Sequence, residues 1–127
     1  MPDANPKYKD LPRPSSIDFF ENGLKNHKMV ASFDKTKEQQ YKIVRIGKSD
    51  LYVYLTNLYI VSLADIHEIM SKFPELNSIV TICNYNSYSN KAKTFCIENK
   101  IGLFEYSEFY GALYYDNNKF INYEPKE

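Results

Sequence analysis

The stretch that most constrains the fold of this chain is the apolar run SIVTIC at residues 78–83. Its β-branched side chains would fall on both faces of an extended segment, which is typical of a strand covered on both sides. A segment rich in Asn, Ser and Tyr follows at 84–88 and breaks the apolar pattern. Ser89 is then placed to cap the first turn of a helix. The run therefore predicts a buried strand that leads through a polar loop into a helix.

The residues after this loop continue the pattern of alternating strands and helices. Ala92, Phe95 and Cys96 recur at helical spacing and predict the inward face of a helix. Residues 101–104 begin a second short strand, and Ser107 can cap a closing helix. Because a helix of this length separates the two strands, they are expected to pair in parallel.

Two strand-like runs, 41–46 and 51–56, precede this unit and are joined by the loop GKSD at 47–50. This arrangement predicts a hairpin. Aliphatic and tyrosine side chains alternate along the second run. Leu51, Val53 and Leu55 therefore fall on one face of the strand, and Tyr52 and Tyr54 fall on the other. One face belongs to the core, and a helix or a partner covers the tyrosine face.

Apolar spacing, helix-capping residues and charge predict the remaining helices and strands. Apolar residues at helical spacing predict a first helix from Ser15 or Ser16 onward, and the Ser62 and Asp65 pair predicts a capped helix that ends at Pro74. Residues 29–33 are predicted to form a short strand, and 34–40 a charged connection.

Together these elements predict an α/β protein. We expect a single three-layer domain with a mixed sheet of about four or five strands and helices on both faces. Four of the six prolines lie in residues 1–15, which predicts a flexible N-terminal arm. The domain is expected to span 16–115, and 116–127 is predicted to be a tail, ordered only where Phe120 and Tyr123 dock.

Composition narrows the possible functions. Sixteen basic and sixteen acidic residues give a net charge of zero, so there is no overall basic excess for non-specific phosphate contacts, although local patches can still bind nucleic acid. No stretch approaches the ~20 apolar residues of a membrane span and no signal peptide is visible, which predicts a cytoplasmic protein without membrane contact. Cys83 and Cys96 are expected to be buried and reduced. His27 and His67 lack metal-ligand spacing, so we expect neither a metal nor a cofactor.

From the hairpin onward, the order of elements resembles the core of restriction-endonuclease-like proteins, in particular the Mrr-like branch of the PD-(D/E)XK nucleases. The resemblance is strongest over IVTICNYNSYSNKAKTFCIENKIGLFEYSEF, residues 79–109. Mrr-like domains likewise have a strand, a polar loop, a helix with small residues on one face, and a strand that ends in an acidic residue before a final helix. The resemblance implies a restriction-endonuclease-like fold and a bacterial or phage origin with a role in defence or counter-defence.

The chemistry of that family requires an Asp at the end of one hairpin strand and a Glu/Gln-x-Lys on the next, which together bind Mg²⁺. The second hairpin strand here, LYVYLTN at 51–57, contains neither an acid nor a lysine. Asp34 or Asp50 can be offered as the carboxylate, and Lys42 or Lys48 as the lysine, but none has its partner two residues away. This favours a nuclease-like domain without catalytic activity.

Two features remain as candidates for binding. The loop after the buried strand leads into a helix N-terminus, where unpaired amides can hold an anion, and Lys91 and Lys93 are expected to point away from the core. Tyrosines cluster around the same unit and can form a protein interface or stack bases, although tyrosine is also common in chains from A+T-rich genomes. The predicted binding residues are Asn84, Tyr85, Asn86, Tyr88, Ser89, Lys91, Lys93, Tyr106 and Tyr110.

The leading interpretation is a non-catalytic binding protein that contacts a protein partner through this tyrosine-rich surface and the N-terminal arm. A metal-dependent nuclease or a nucleic-acid-binding protein is the first alternative. A nucleotide or anion sensor that uses the loop at 84–93 is the second. The sequence leaves the oligomeric state open.

Overall fold

The structure, a computed structural model, describes residues 10–83 and 85–125. Predictions that concern residues 1–9, Asn84 and residues 126–127 lie outside the described residues. The helices are α1 (Pro14–Lys25), α2 (Leu63–Lys72), α3 (Asn90–Glu98), α4 (Tyr106–Ala112) and α5 (Asn117–Ile121). The strands are β1 (Val30–Lys37), β2 (Gln40–Arg45), β3 (Leu51–Thr56), β4 (Ile60–Val61), β5 (Ser78–Thr81), β6 (Ser87–Tyr88) and β7 (Gly102–Glu105).

Five strands form one mixed sheet in the order β1-β2-β3-β5-β7. The first three strands pair antiparallel, as consecutive hairpins do. β5 then pairs in parallel with β3 on one side and with β7 on the other. The predicted hairpin and the predicted parallel unit are both confirmed. β4 and β6 form a small parallel pair beside this sheet, where the sequence had predicted only a loop at 84–88.

Helices cover both faces of the sheet, and each face has its own apolar core. α1, α4 and α5 pack on the face that carries Leu51, Val53 and Leu55, whereas α2 and α3 pack on the face that carries Tyr54. The alternation predicted for β3 is therefore correct, and helices cover its tyrosine face, where Tyr54 is buried and Tyr52 partly buried. These observations confirm the α/β class and the helices on both faces.

β1 is longer than the sequence suggested. The predicted connection at 34–40 is wrong, since the strand continues to Lys37 and β2 begins at Gln40. Asp34 lies opposite Lys42, and Lys35 lies opposite Tyr41. β1 is an edge strand, so most of its residues are exposed and several are charged. The sequence therefore shows no apolar alternation there from which a strand could be predicted. Backbone pairing with β2 forms the strand in spite of these charged residues.

Both ends of the described chain are folded onto the domain. Of the predicted flexible arm, residue Asp10 is buried, and α1 already begins at Pro14, whose fixed φ suits the first position of a helix. The predicted tail contains α5, which buries Phe120 and Ile121 against the sheet. α4 also differs in its cap, because the Glu108 carboxylate accepts the backbone N–H of Glu105 at 2.9 Å, where Ser107 had been expected to cap.

A buried arginine attaches the C-terminal segment to the sheet. The Arg45 side chain at the end of β2 is fully buried. Its guanidinium donates to the carbonyls of Leu113 and Tyr115 at 3.1 and 2.6 Å, and to the Asp116 carboxylate at 3.0 Å. A planar guanidinium carries five N–H donors in a fixed geometry, against three on a lysine ammonium, and can therefore satisfy acceptors in several directions at once. Arg45 therefore connects β2 to the end of α4 and to the segment that starts α5.

We expect Arg45→Ala to lower the free energy of unfolding by about 3 kcal/mol or more, because it removes a buried charge and leaves its acceptors unpaired. Lys42→Ala is the matched control, since Lys42 and Asp50 form an ion pair at 3.8 Å in which both side chains are about 40% exposed. Such a pair contributes at most about 1 kcal/mol. Urea unfolding of both variants measures the difference, and equal losses would contradict the role assigned to Arg45.

Candidate functional site

The parallel strands β3, β5 and β7 end at the same edge of the sheet, at Thr56, Thr81 and Glu105. In open α/β sheets, ligands bind beyond the carboxyl ends of the strands. We refer to this region as the carboxyl edge. The loops that leave it carry Asn57, Cys83 and the segment that contains Tyr85.

The floor of the carboxyl edge is a network of side-chain hydrogen bonds. The Asn57 side-chain oxygen accepts from the Cys83 thiol at 2.9 Å and from the Asn86 amide at 3.3 Å. The Asn86 amide also donates to the backbone carbonyl of Asn57 at 3.1 Å. Asn86 is buried, so this predicted ligand residue holds two loops together. Both cysteines are free, and burial raises the pKa of Cys96 to about 12.

Aromatic side chains stand above this floor. Tyr85, Tyr59 and Phe19 are 68%, 63% and 53% exposed. The rings of Tyr59 and Tyr85 lie 6.1 Å apart, and Phe19 contacts Tyr106 edge to face at 5.5 Å. We refer to Phe19, Tyr59, Tyr85 and Tyr106 as the aromatic rim.

A shallow cavity connects the two aromatic pairs. It has a volume of about 330 Å³ and lies between the start of α1 and the loop that follows β5. Its lining residues are Ser15, Ser16, Phe19, Ile82, Cys83 and Tyr85. The rim and the cavity together form a surface that is concave and largely apolar.

Two carboxylates flank the rim on the β7 side. Glu105 accepts from the Ser87 hydroxyl at 2.7 Å, and Glu108 accepts from the Tyr88 hydroxyl at 2.9 and 3.0 Å. Burial, together with the hydrogen bond to Glu108 and the negative charge, raises the pKa of Tyr88 above its usual value. Tyr88 therefore donates to Glu108 inside the fold, and two carboxylates lie on this side of the rim.

The prediction that Lys93 points away from the core is wrong, because its side chain turns toward the sheet. The ammonium donates to the backbone carbonyl of Leu103 at 2.6 Å and lies 4.6 Å from the Phe104 ring and 5.2 Å from the Tyr88 ring. The backbone N–H of Gly102 donates to the Asn77 carbonyl, on the side of β7 that faces β5. Because the backbone groups of successive strand residues point to opposite sides, the Leu103 carbonyl faces away from β5 and needs another donor. Burial lowers the pKa of Lys93, against the raising effect of nearby acidic groups.

The other predicted residues divide between the rim and elsewhere. Tyr85 and Tyr106 belong to the rim, and Ser89 caps α3 by accepting from the Ala92 N–H at 3.1 Å. Tyr110 lies away from the carboxyl edge, where its hydroxyl donates to the Phe20 carbonyl at 3.3 Å. Lys91 is exposed on α3. The Asn86 amide and the Lys93 ammonium already donate within the protein, and the Ser89 hydroxyl accepts from the Ala92 N–H, so these three side chains are engaged in internal bonds and do not favour the predicted anion site.

Sequence reasoning missed Phe19, Tyr59 and Asn57. Phe19 stands beside Phe20 but lies off the apolar face of α1, which is the pattern of an exposed phenylalanine. Asn57 and Tyr59 directly follow a parallel strand, which is where the carboxyl-edge rule points. Both signals were available in the sequence.

The candidate nuclease residues lie on the hairpins. Lys42 pairs with Asp50, Asp34 lies across from Lys42 in the neighbouring strand, and Lys48 is in the loop between β2 and β3. Within residues 10–83 and 85–125, no group of three or more His, Cys, Asp or Glu side chains is placed to hold a metal ion.

The described part of the chain thus forms an α/β protein with an aromatic surface at the carboxyl edge of its sheet. No protein-family model, curated protein or solved structure matches the chain. Among the helices of the described residues, none combines the length and apolar character needed to cross a bilayer.

We expect the pH dependence of Lys93→Met to reveal the buried ammonium. The folded pKa of Lys93 lies below its unfolded value, so between the two values the unfolded chain binds more protons. Wild-type stability should therefore rise relative to Lys93→Met as the pH increases from 7 toward about 10. Urea unfolding across this range measures the difference. Lys91→Met is the control and should show no such rise, and identical profiles for the two variants would refute the buried state of Lys93.

Proposed function

We propose that this chain is a non-catalytic binding protein whose aromatic rim contacts a protein partner. The observation that carries the proposal is the exposure of Phe19, Tyr59 and Tyr85, each more than half accessible, at the edge where α/β sheets bind ligands. Large aromatic side chains supply much of the binding energy at protein interfaces, because they bury a large area with few rotatable bonds.

The charges around the rim favour a protein over a nucleic acid. Glu105 and Glu108 hold carboxylates on the β7 side, and these would repel phosphates. Lys93, which the sequence predicts beside an anion-binding loop, instead donates to the Leu103 carbonyl. The net charge of zero adds no long-range attraction for a polyanion.

We also propose that the scaffold is related to the restriction-endonuclease-like fold. Support comes from a hairpin followed by two parallel strands, each reached through a helix, which is the order that the resemblance implies. β3, where that family carries its acid and lysine, holds Tyr52, Tyr54 and Thr56 here. This favours a nuclease-derived domain that binds without cleaving, and the proposed bacterial or phage origin, with a role in defence or counter-defence, rests on the resemblance alone.

A photo-crosslinking amino acid at position 59 or 85 tests the rim in living cells. We expect discrete protein adducts from both positions, and their loss when Phe19→Ala is added. Position 114 is the control, because Tyr114 is also exposed but lies beside His27, with ring centroids 4.8 Å apart. Equal adducts from all three positions, adducts to nucleic acid, or none would contradict the proposal.

The proposed lack of catalysis has its own test. Purified protein is mixed with labelled single-stranded DNA, double-stranded DNA and RNA, with Mg²⁺ or Mn²⁺ and with chelator. We expect no metal-dependent cleavage, because β3 supplies neither an acid nor a lysine. Metal-dependent cleavage that Asp34→Ala or Asp50→Ala abolishes would show that the chain is a nuclease.

A further inference from the structure

A buried carboxylate near the N-terminus occupies the end of β3. Asp10 is 8% exposed. One of its carboxylate oxygens accepts from the Tyr54 hydroxyl at 2.6 Å and lies 3.8 Å from the Lys72 ammonium, and the other accepts from the Thr56 hydroxyl. Burial, with the hydrogen bond to Asp10 and its charge, raises the pKa of Tyr54 above its usual value, so the hydroxyl keeps its proton and donates to the carboxylate. Two hydroxyls and an ammonium thus surround one carboxylate.

The backbone of the same residue is also held. The Asp10 carbonyl accepts from the N–H of Asn57 at 2.9 Å and from the side-chain amide of Gln39 at 3.1 Å. Gln39 reaches it from the turn between β1 and β2, and also donates to the Leu55 carbonyl at 3.1 Å. The groups that hold Asp10 therefore come from β3 and the residue after it, from the β1–β2 turn and from α2.

These groups would accept a carboxylate from another source. The side chains of Tyr54 and Thr56 are buried, and buried hydroxyls are costly to leave without an acceptor. A carboxylate supplies an acceptor to each hydroxyl and a negative charge to the Lys72 ammonium, and an Asp or Glu side chain of any origin provides one. Asp10 has the advantage of being covalently attached, which gives it a high effective concentration.

We propose that Tyr54, Thr56 and Lys72 form a carboxylate-binding site that the chain's own Asp10 occupies as a displaceable latch. The exchanging ligand is an Asp or Glu side chain of the protein that binds the aromatic rim, and this identity of the ligand rests on the proposed function.

Asn57 connects the latch to the rim. Its N–H bonds to Asp10, and its side-chain oxygen accepts from Cys83 and Asn86, which hold the loop that carries Tyr85. Tyr59 follows two residues later. Displacement of Asp10 therefore releases the backbone N–H of Asn57, and Asn57 supports the loop that carries Tyr85. In this way the latch regulates the surface that contacts the partner.

Acetate tests the site without any partner. In the full-length Asp10→Ala variant, we expect the melting temperature to fall relative to wild type and to rise again by several degrees as acetate fills the vacated space, with saturation. Acetamide, and chloride at matched ionic strength, should not restore it. Asp18→Ala, which removes an exposed carboxylate from α1, should lose little stability and show no acetate response. Adding Tyr54→Phe to Asp10→Ala should weaken the rescue.

A second measurement covers the case in which Asp10→Ala does not fold. In the isosteric Asp10→Asn variant, and to a smaller extent in wild type, acetate should accelerate hydrogen exchange at the Asn57 amide, because it displaces the residue that protects this N–H. If acetate neither stabilises Asp10→Ala nor changes this exchange, Asp10 is a permanent anchor and the proposal is wrong. The crosslinking result is independent of acetate, so the two proposals can fail separately.

Discussion

The parallel pairing of β5 with both β3 and β7 is the constraint on which the rest of the structure depends. It requires helices as crossovers, and those helices cover both faces of the sheet. It also brings three strand ends into register, so that loops separated by many residues in the sequence meet at one edge. The surface at this edge is a consequence of strand direction and does not depend on any local motif.

Hydrogen-bond satisfaction determines which side chains remain available at that edge. Asn86, Ser87 and Tyr88 all bond to protein groups. Among the described residues, no buried side-chain nitrogen or oxygen lacks a partner. Buried polar groups without partners are costly, so a loop that enters the fold uses its donors internally. The side chains left exposed are aromatic, which is why a loop with the composition of an anion site presents an apolar rim.

The sequence predicted the elements whose apolar period was clear, and missed those held by distant hydrogen bonds. The alternation of Leu51, Val53 and Leu55 with tyrosines predicted β3 and its two cores correctly, because burial alone decides that pattern. β1 lacked such a pattern and was cut short at residue 33, although its backbone pairs with β2 as far as Lys37. The sequence predicts that Lys93 points away from the core and that Asp10 belongs to a flexible arm, because their partners, Leu103 and Tyr54, lie on other elements. Local periodicity contains no information on such contacts.

The choice of residues around Asp10 supports a role beyond anchoring. Apolar side chains at positions 54 and 56 would fill the same volume without requiring a carboxylate, and such replacements of buried polar groups are often neutral or stabilising. Tyr54 and Thr56 instead keep buried donors that must always be paired. Such a core is more stable with a carboxylate in place than without one, but it does not specify which carboxylate. Because Asn57 bonds to Asp10 and also supports the loop of Tyr85, the identity of that carboxylate is sensed at the rim.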